Sequence, residues 1–239
     1  MNYGVLQTQR LLSLSGLSPG PLDGLSGRRT TAASSEFDRR ESRLVRQRGF
    51  SEALRFSVAD KMALVPRLSI TFVQGIAPSF NPAWISALNE SLLSAAILDD
   101  RLAFYLAQLA YESDGFAVLE EYASGAAYEG RSDLGNTEPG DGKRYKGRGP
   151  IQLTGRGNYR RYGAILGLPL EANPGIVSTP LIGFRCAAAY WTDRNLNAVS
   201  DRGDFTALTR RINGGLTGLS GRKTYYRRIS AALEGAGIG

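Results

Sequence analysis

The feature that most constrains the fold is an apolar helical segment that stops abruptly before a long polar region. Residues 101–113 read RLAFYLAQLAYES and place Leu102, Leu106 and Leu109 on one face of a predicted helix. Gly115 stands where such a helix should end. Residues 122–150 are rich in Gly, Asp, Asn and Ser, which is typical of an extended, ordered loop region. The predicted fold must therefore combine a buried helix with a polar loop region.

The rest of the chain favours helices over strands. Helical patterns recur at about 158–167, 180–195, 204–213 and 222–233, whereas strand signals are few. The hydrophobic content of 42% is near the globular average, and no apolar run has the length of a membrane helix. The sequence predicts a mainly α protein.

Proline and glycine divide the chain into two predicted domains. Pro66, Gly75, Pro78 and Pro82 interrupt the helical patterns on either side of them. We expect a small domain over residues 1–65, a linker over 66–79 and a larger domain over 80–239.

The complete absence of histidine excludes several kinds of active site. Ser-His-Asp and Cys-His nucleophile systems and the usual zinc sites of hydrolases all need this residue. Acid–base chemistry must then come from carboxylates, tyrosine or lysine, and we expect no metal and no organic cofactor. The single cysteine, Cys186, excludes an internal disulfide and is predicted to lie in a buried helix.

The net charge of +7 indicates an anionic partner, such as nucleic acid, a membrane surface or an acidic cell wall. Basic stretches at 39–48 and 222–233 are either solvated helix faces or contacts with such a partner. A phosphate-binding loop is excluded because the chain has neither GxxxxGK[ST] nor GxGxxG after an apolar strand.

Glu112 and Glu121 are the first candidates for catalysis. Glu112 ends an apolar helix, where a partly desolvated carboxyl suits a proton donor, although spacing alone favours an ordinary solvent-facing glutamate. Glu121 follows nine residues later, and a break at Asp114-Gly115 would let the two carboxyls face each other as in glycoside hydrolases. Spacing alone leaves other carboxylates of this region open, namely Glu120, Glu129, Asp133 and Glu138.

Residues 145–158 (YKGRGPIQLTGRGN) suit a sugar ligand. The glycines allow the backbone to approach a ligand closely, and Gln152, Thr154 and Asn158 provide directional donors and acceptors. Sugar hydroxyl and acetamido groups require this kind of short polar lining.

Four segments together resemble the family-19 glycoside hydrolases, which comprise chitinases and related peptidoglycan-cleaving lysozymes. They are YESDGFAVLEE (111–121), SGAAYEGRSDLGN (124–136), YKGRGPIQLTGRGNY (145–159) and RRINGGLTGL (210–219). The resemblance implies a lysozyme-like, mainly α fold and an inverting mechanism. It makes Glu112 the general acid, Glu121 the general base and Thr154 a ligand of the attacking water. It also implies sugar-binding positions at Gln152, Asn158, Asn213 and Tyr145, of which Asn213 could instead cap a helix.

Two departures from the family pattern bear on these assignments. Family members commonly have histidine before the general acid, whereas this chain has Tyr111, which cannot supply a positive charge. The long loop that plant chitinases have between their two glutamates is also missing. The choice of Glu121 over Glu120 or Glu129 is therefore less firmly based than that of Glu112.

The N-terminal residues resemble a three-helix peptidoglycan-binding module. The core of the resemblance is the pattern PGPxDGxxGxxT over residues 19–30. It implies wall-binding positions at Asp23, Gly24, Gly27 and Thr30, although Asp23 and Thr30 could instead order the turn and cap the next helix. Residues 38–65 fit the module poorly.

The combined prediction is a peptidoglycan hydrolase of the muramidase type, resembling a phage endolysin. The alternatives are a chitinase, a non-catalytic wall-binding protein and a membrane-disrupting protein that acts through its basic helices. No signal peptide is evident, so we expect the protein in a host cytoplasm until the membrane opens. We expect a monomer that binds bacterial peptidoglycan, with an anionic outer-membrane surface as a second partner, and no nucleic acid.

Overall fold

The computed structural model describes residues 27–36, 65–97 and 99–235. The prediction of a mainly α fold is confirmed, because helices dominate the described residues. Extended pairing within these ranges is limited to two isolated bridges, Glu120 with Arg148 and Arg148 with Leu153. They lie where the polar loop region meets the segment at 145–158.

Residues 28–36 are helical. The helices that follow are α1 (Ile70–Ile76), α2 (Ile85–Ser94), α3 (Asp99–Glu112), α4 (Asp141–Arg144), α5 (Arg156–Leu166), α6 (Pro180–Asp193), α7 (Leu196–Ser200), α8 (Phe205–Asn213) and α9 (Leu219–Gly235). Short 3₁₀ helices cover Pro82–Trp84, Ala126–Tyr128, Ser132–Leu134 and Pro174–Ser178. The four predicted helices after residue 150 correspond to α5, α6, α8 and α9.

Helix α3 runs through the core, as its apolar pattern predicts. Helix α9 packs along it, and Phe104 meets Tyr226 with ring centroids 4.9 Å apart. Tyr105 meets Trp191 of α6 edge to face at the same centroid distance. An edge-to-face arrangement of this kind stabilises a core beyond simple area burial. The end of α3 is consequently held in a fixed place.

The predicted linker at 66–79 is folded, and this part of the domain prediction is corrected. Helix α1 lies within it, and Val73 and Ile76 are buried in the same core as α3. The amide of Leu68 donates to Asn89, and the Asn89 side chain donates back to the Leu68 carbonyl. The glycine and prolines of this segment suggested a linker, but Gly75 lies inside helix α1. The boundary of the N-terminal domain stays a prediction, since residues 37–64 lie outside the described ranges.

The N-terminal module also stays a prediction. Asp23 and Gly24, together with the basic stretch at 39–48, lie outside the described residues. Gly27 precedes the helix at 28–36, and Thr30 is buried. The burial of Thr30 favours the alternative role, in which this residue supports the fold and does not contact the wall directly.

Cys186 is fully buried in α6, as predicted. Burial raises the pKa of its thiol to about 12, so the reactive thiolate is suppressed at neutral pH. None of the helices in the described ranges combines the length and apolarity required to cross a membrane.

The loop region at 122–150 is ordered by side chains that bond to the backbone. The two oxygens of Glu129 accept from the amides of Gly140 and Gly142 at 2.6 and 2.9 Å. The buried carboxylate of Asp141 accepts from the amides of Thr137 and Glu138. These bonds satisfy backbone amides that lie outside regular secondary structure, and they order the loop between its short helices.

A cluster of ion pairs connects α5 to Glu171, which lies in the segment between α5 and α6. Arg156 and Arg160 both bind the Glu171 carboxylate, at 2.8 and 2.7 Å. The hydrogen bonds from Arg160 and Arg156 lower the pKa of Glu171 to about 2. The carboxylate of the folded protein is therefore charged over nearly the whole acidic range.

We expect the stabilisation from this cluster to depend on pH. Because the pKa of Glu171 is lowered in the folded state, its contribution is present above the ordinary value of 4.5 and is lost as pH falls towards 2. Replacement Glu171→Gln should lower Tm by about 1–4 °C at pH 7, since the cluster is partly exposed, and by much less near pH 2. Thermal unfolding followed by circular dichroism at both pH values measures this.

Glu234→Gln is the matched control. It removes the same charge from an exposed site that forms no ion pair with the described residues, and Tm should not change. A pH-independent loss of Tm in Glu171→Gln would contradict the assignment.

Candidate active site

Glu112 is the last residue of α3, and the chain reverses directly after it. Asp114, Gly115 and Phe116 have φ angles of 49°, 67° and 62°, so three consecutive residues are left-handed. The amide of Gly115 closes the helix end by donating to the Ala110 carbonyl at 2.7 Å. Phe116 is buried and anchors the turn. The predicted break at 114–115 is thus present, and the following segment folds back towards the helix end.

The Glu112 carboxylate is held by an arginine from the far end of the chain. Arg222 of α9 donates through Nη2 to Glu112 Oε1 at 2.5 Å and through Nη1 to Gln108 Oε1 at 2.6 Å. The side chain of Arg222 is only 1% exposed, whereas that of Glu112 is 18% exposed. Oε2 of Glu112 accepts no hydrogen bond from the described residues and is the oxygen that can face a substrate.

Arg222 also supplies the positive charge that Tyr111 cannot. Its guanidinium lies over the Tyr111 ring, 4.5 Å from the ring centroid. The carboxyl therefore has a cationic neighbour that comes from α9 instead of the preceding residue. The sequence prediction missed Arg222 because residues 222–233 were interpreted as a basic surface helix. The only available signal was that position 222 falls on the inward face of α9.

Glu121 follows the turn after α3, and hydrogen bonds hold it in a fixed position. Its Oε1 accepts from the Tyr128 hydroxyl at 2.9 Å, and its Oε2 accepts from the Gly147 amide at 3.0 Å. Its own amide donates to the Gly147 carbonyl, and Lys146 Nζ donates to the Glu121 carbonyl. Both the backbone and the carboxylate of Glu121 are therefore oriented by hydrogen bonds.

Gly147 joins Glu121 to two other predicted site residues. A methyl group at its Cα would lie 2.7 Å from Gln152 Oε1, 3.2 Å from Glu121 Oε2 and 3.3 Å from Thr154 Oγ1. The three side-chain oxygens thus converge on space that only glycine leaves open. Such a group of acceptors and a hydroxyl can hold a water molecule beside a carboxylate.

The segment at 149–158 is a sequence of tight turns. Gln152 has a φ of 52°, and its side-chain amide donates to the Gly149 carbonyl. Thr154 Oγ1 donates to the Gln152 carbonyl at 2.9 Å, and Asn158 Nδ2 donates to the Thr154 carbonyl at 2.7 Å. These bonds fix the three polar side chains relative to Glu121.

Tyr128 lies within the influence of both carboxylates. Its pKa is raised to about 12 by burial first, then by the hydrogen bond to Glu121 and the charge of Glu121, with a further contribution from the charge of Glu112. Both carboxylates therefore lie near Tyr128, and we refer to the space around Tyr128 between them as the cleft. Tyr128 was not singled out from the sequence, although it stands in the 124–136 segment that resembles the family.

Three of the four alternative carboxylates are engaged elsewhere. Glu120 forms ion pairs with Lys146 and Arg148. Partial burial would raise its pKa, but the hydrogen bond from Lys146 and the charges of Arg148 and Lys146 outweigh this and lower it. Glu129 caps the loop backbone as described above, and Asp133 pairs with Arg131 on the surface. Glu121 is the carboxylate of this group that lies beside Gln152 and Thr154.

Tyr145 and Asn213 lie apart from this group. Tyr145 is 2% exposed, and its hydroxyl donates to the Glu171 carbonyl at 3.0 Å, which gives it a place in the core. Asn213 ends α8, and its side chain donates to the Thr217 carbonyl at 3.4 Å. Their predicted contacts with sugar stay predictions. Tyr122, missed from the sequence, directly follows Glu121 and has an 85% exposed ring.

The described residues contain no cluster of three or more His, Cys, Asp or Glu side chains arranged to hold a metal ion.

We expect Gly147→Ala to impair catalysis with little loss of stability. The added methyl group must displace the ends of Gln152, Glu121 or Thr154, and displacements of about 1 Å in an active site cost roughly 100-fold in rate. The turnover number should therefore fall by about 10–100-fold while Tm changes little. Gly175→Ala, whose nearest neighbour would be 3.9 Å away, is the control. Full activity of Gly147→Ala would contradict this arrangement.

Replacement of Arg222 should destabilise the fold because the Glu112 carboxylate would lose its ionic partner. Breaking a buried ion pair costs about 3–5 kcal/mol, and we expect about 3 kcal/mol for Arg222→Met because Glu112 keeps some exposure. The double replacement Glu112→Gln with Arg222→Met should recover part of this loss. Urea unfolding of the wild type, both single variants and the double variant forms the thermodynamic cycle. Strictly additive losses would show that the pair is not coupled.

Part of the chain matches a known protein family. Residues 101–203 match the sequence model of the glycoside hydrolase 19 family described as chitinase class I. The matched range contains both glutamates and the 145–158 segment, and it ends before Asn213 and Arg222.

Solved structures share the fold. Chitinase C from Streptomyces griseus HUT6037 superposes with a TM-score of 0.59 at 22% identity, over 72% of this chain and 93% of that one. A bacterial family 19 chitinase gives 0.55 at 21% identity, over 71% and 95%. A class IV chitinase of family 19 from Zea mays gives 0.51 at 22% identity, over 74% and 92%.

Proposed function

We propose that this chain, whose residues 101–203 match the sequence model of glycoside hydrolase family 19, hydrolyses an N-acetylated glycan by inversion, with Glu112 as acid and Glu121 as base. The observation that carries the proposal is that two carboxylates near Tyr128 are held in different ways. Glu112 has one oxygen fixed by Arg222 and the other open, while Glu121 is fixed beside Gln152 and Thr154. Glycoside hydrolysis needs two carboxyl groups with different tasks.

The proposed reaction adds one water molecule across the glycosidic bond. Protonated Glu112 gives its proton to the glycosidic oxygen as the bond to the anomeric carbon breaks. Glu121 takes a proton from a water held with Thr154 and Gln152, and the water oxygen bonds to the anomeric carbon from the opposite face. Inversion requires the carboxyl groups to be roughly 6.5–9.5 Å apart, which leaves room for the water.

Chitin is the substrate that the relatives favour. The matching family is described as chitinase class I, and the superposed structures are chitinases. Identities of 21–22% support a shared fold, and the substrate is carried over by analogy alone. A polymer of N-acetylglucosamine is therefore the first substrate to test.

Peptidoglycan is the second candidate, and it is the one that the sequence analysis placed first. Two observations favour it. The N-terminal residues 19–30 resemble a wall-binding module, and the net charge of +7 suits an anionic polymer better than neutral chitin. The glycan of peptidoglycan contains the same N-acetylated β-linked sugars, so the proposed chemistry is unchanged.

Replacement of the two carboxylates tests the mechanism. We expect Glu112→Gln to lower the turnover number by about 10²–10⁴-fold, because a positioned acid contributes that much. Glu121→Gln should cause a comparable loss. The measurement is the release of reducing ends from glycol chitin and from purified peptidoglycan, with the anomeric form of the first product followed by NMR.

The adjacent glutamate provides the control. Glu120→Gln removes the same charge one residue away, from a carboxylate paired with Lys146 and Arg148, and should retain most of the activity. If Glu120→Gln is inactive and Glu121→Gln is active, the base has been misassigned. Retention of the anomeric configuration would exclude inversion. Cell lysis by Glu112→Gln without new reducing ends would favour the membrane-disrupting alternative.

A further inference from the structure

The segment that forms one wall of the cleft carries an unusual charge distribution. Residues 205–233 contain no Asp and no Glu. The same residues contain six cations, namely Arg210, Arg211, Arg222, Lys223, Arg227 and Arg228. By contrast, the segment that follows the turn at Gly115 contains several carboxylates, including Glu120, Glu121 and Glu129.

Four of these cations are exposed and have neither an ion pair nor a side-chain hydrogen bond with the described residues. Arg222 is buried against Glu112, and Arg228 donates to the Ile76 carbonyl. The others are exposed and form no ion pair with any residue that the structure describes. We refer to them as the basic surface: Arg210, Arg211, Lys223 and Arg227.

The loop between α8 and α9, with Arg210 and Arg211 before it and Lys223 after it, lies beside Glu112. The loop between α8 and α9 rests on Tyr111, because a methyl group at Gly218 would collide with that ring and one at Gly221 would lie 2.5 Å from it. Arg210 and Arg211 stand in the last turn of α8, at one end of this loop. Lys223 follows Arg222, the residue that binds Glu112, at the other end.

Hydrogen bonds from α6 and the residue after it hold the end of α8 in place. The Tyr190 hydroxyl donates to the Ile212 carbonyl at 3.1 Å, and Arg194 donates to the Arg211 carbonyl at 3.4 Å. Burial raises the pKa of Tyr190, and the charges of Arg194, Glu112 and Arg222 also act on it. The hydroxyl of Tyr190 therefore links α6 to the end of α8, next to Arg211.

We propose that the basic surface is a carboxylate-binding subsite, and that the substrate is consequently an anionic N-acetylated glycan. In peptidoglycan, alternate sugars bear a lactyl group extended by peptides with free carboxylates, whereas chitin carries no charge. Arginine suits carboxylates because its planar guanidinium can bind both oxygens. This inference rests on the proposed hydrolase function and names the substrate class.

The test compares charged and neutral substrates. The enzymes are the wild type and the double variant Arg210→Gln with Arg211→Gln. The substrates are purified peptidoglycan, the same peptidoglycan with its carboxylates converted to primary amides, and glycol chitin. We expect the double variant to lose about three- to tenfold in kcat/KM on native peptidoglycan, the range for two exposed charge pairs. It should lose less than twofold on amidated peptidoglycan and on glycol chitin.

A second double variant controls for net charge. Arg67→Gln with Lys143→Gln removes two exposed cations from outside α8 and α9. Its kcat/KM should fall by less than twofold on every substrate, because the proposed effect depends on local contacts and not on the net charge of the protein. Added salt should reduce the wild-type activity on native peptidoglycan more than that of the Arg210 and Arg211 variant.

The outcomes separate this inference from the proposed function. Equal losses on native and amidated peptidoglycan, or no loss on either, would overturn the subsite. If the wild type cleaves glycol chitin and leaves peptidoglycan intact, the subsite is wrong while the hydrolase proposal stands. If no substrate is cleaved, the hydrolase proposal itself fails.

Discussion

The reversal of the chain after α3 is the constraint on which the cleft depends. On a continuous helix, residues nine apart lie on opposite faces, and Glu121 would point away from Glu112. Left-handed backbone at Asp114, Gly115 and Phe116 redirects the chain instead. Left-handed residues other than glycine are strained, and the burial of Phe116 offsets that strain. The 145–158 segment can then pair with the returning chain and complete the second wall.

The two walls are built by different physical means. Helices α3 and α9 present Glu112 from a packed apolar core, where aromatic contacts fix the backbone. The opposite wall also buries apolar side chains, such as Leu153 and Tyr159, but its loop is held by side-chain to backbone hydrogen bonds, such as those of Glu129 and Asp141. Each carboxylate therefore has a different environment, and different environments allow two chemically identical groups to take different roles.

The sequence predicted the parts of the fold that rest on local patterns. The helices after residue 150, the stop at Gly115 and the burial of Cys186 follow from periodicity and composition, and the comparisons confirm the family resemblance. Partners distant in sequence were not predictable in this way. Arg222 lies 110 residues from Glu112, and nothing in its basic neighbourhood indicates that one cation turns inward. The linker prediction at 66–79 was wrong because glycine and proline mark turns only statistically, and tertiary packing kept α1 helical.

The position of Arg222 on α9 makes the site dependent on both ends of the catalytic region. A fragment that stopped before residue 222 would still contain both glutamates and the whole range that matches the family, residues 101–203. Its Glu112 would nevertheless lack the guanidinium that orients it, and α3 would lose the helix that packs along it. Truncation, proteolytic cleavage or a frameshift in this region would thus produce a chain that carries the family's signature without a completed active site.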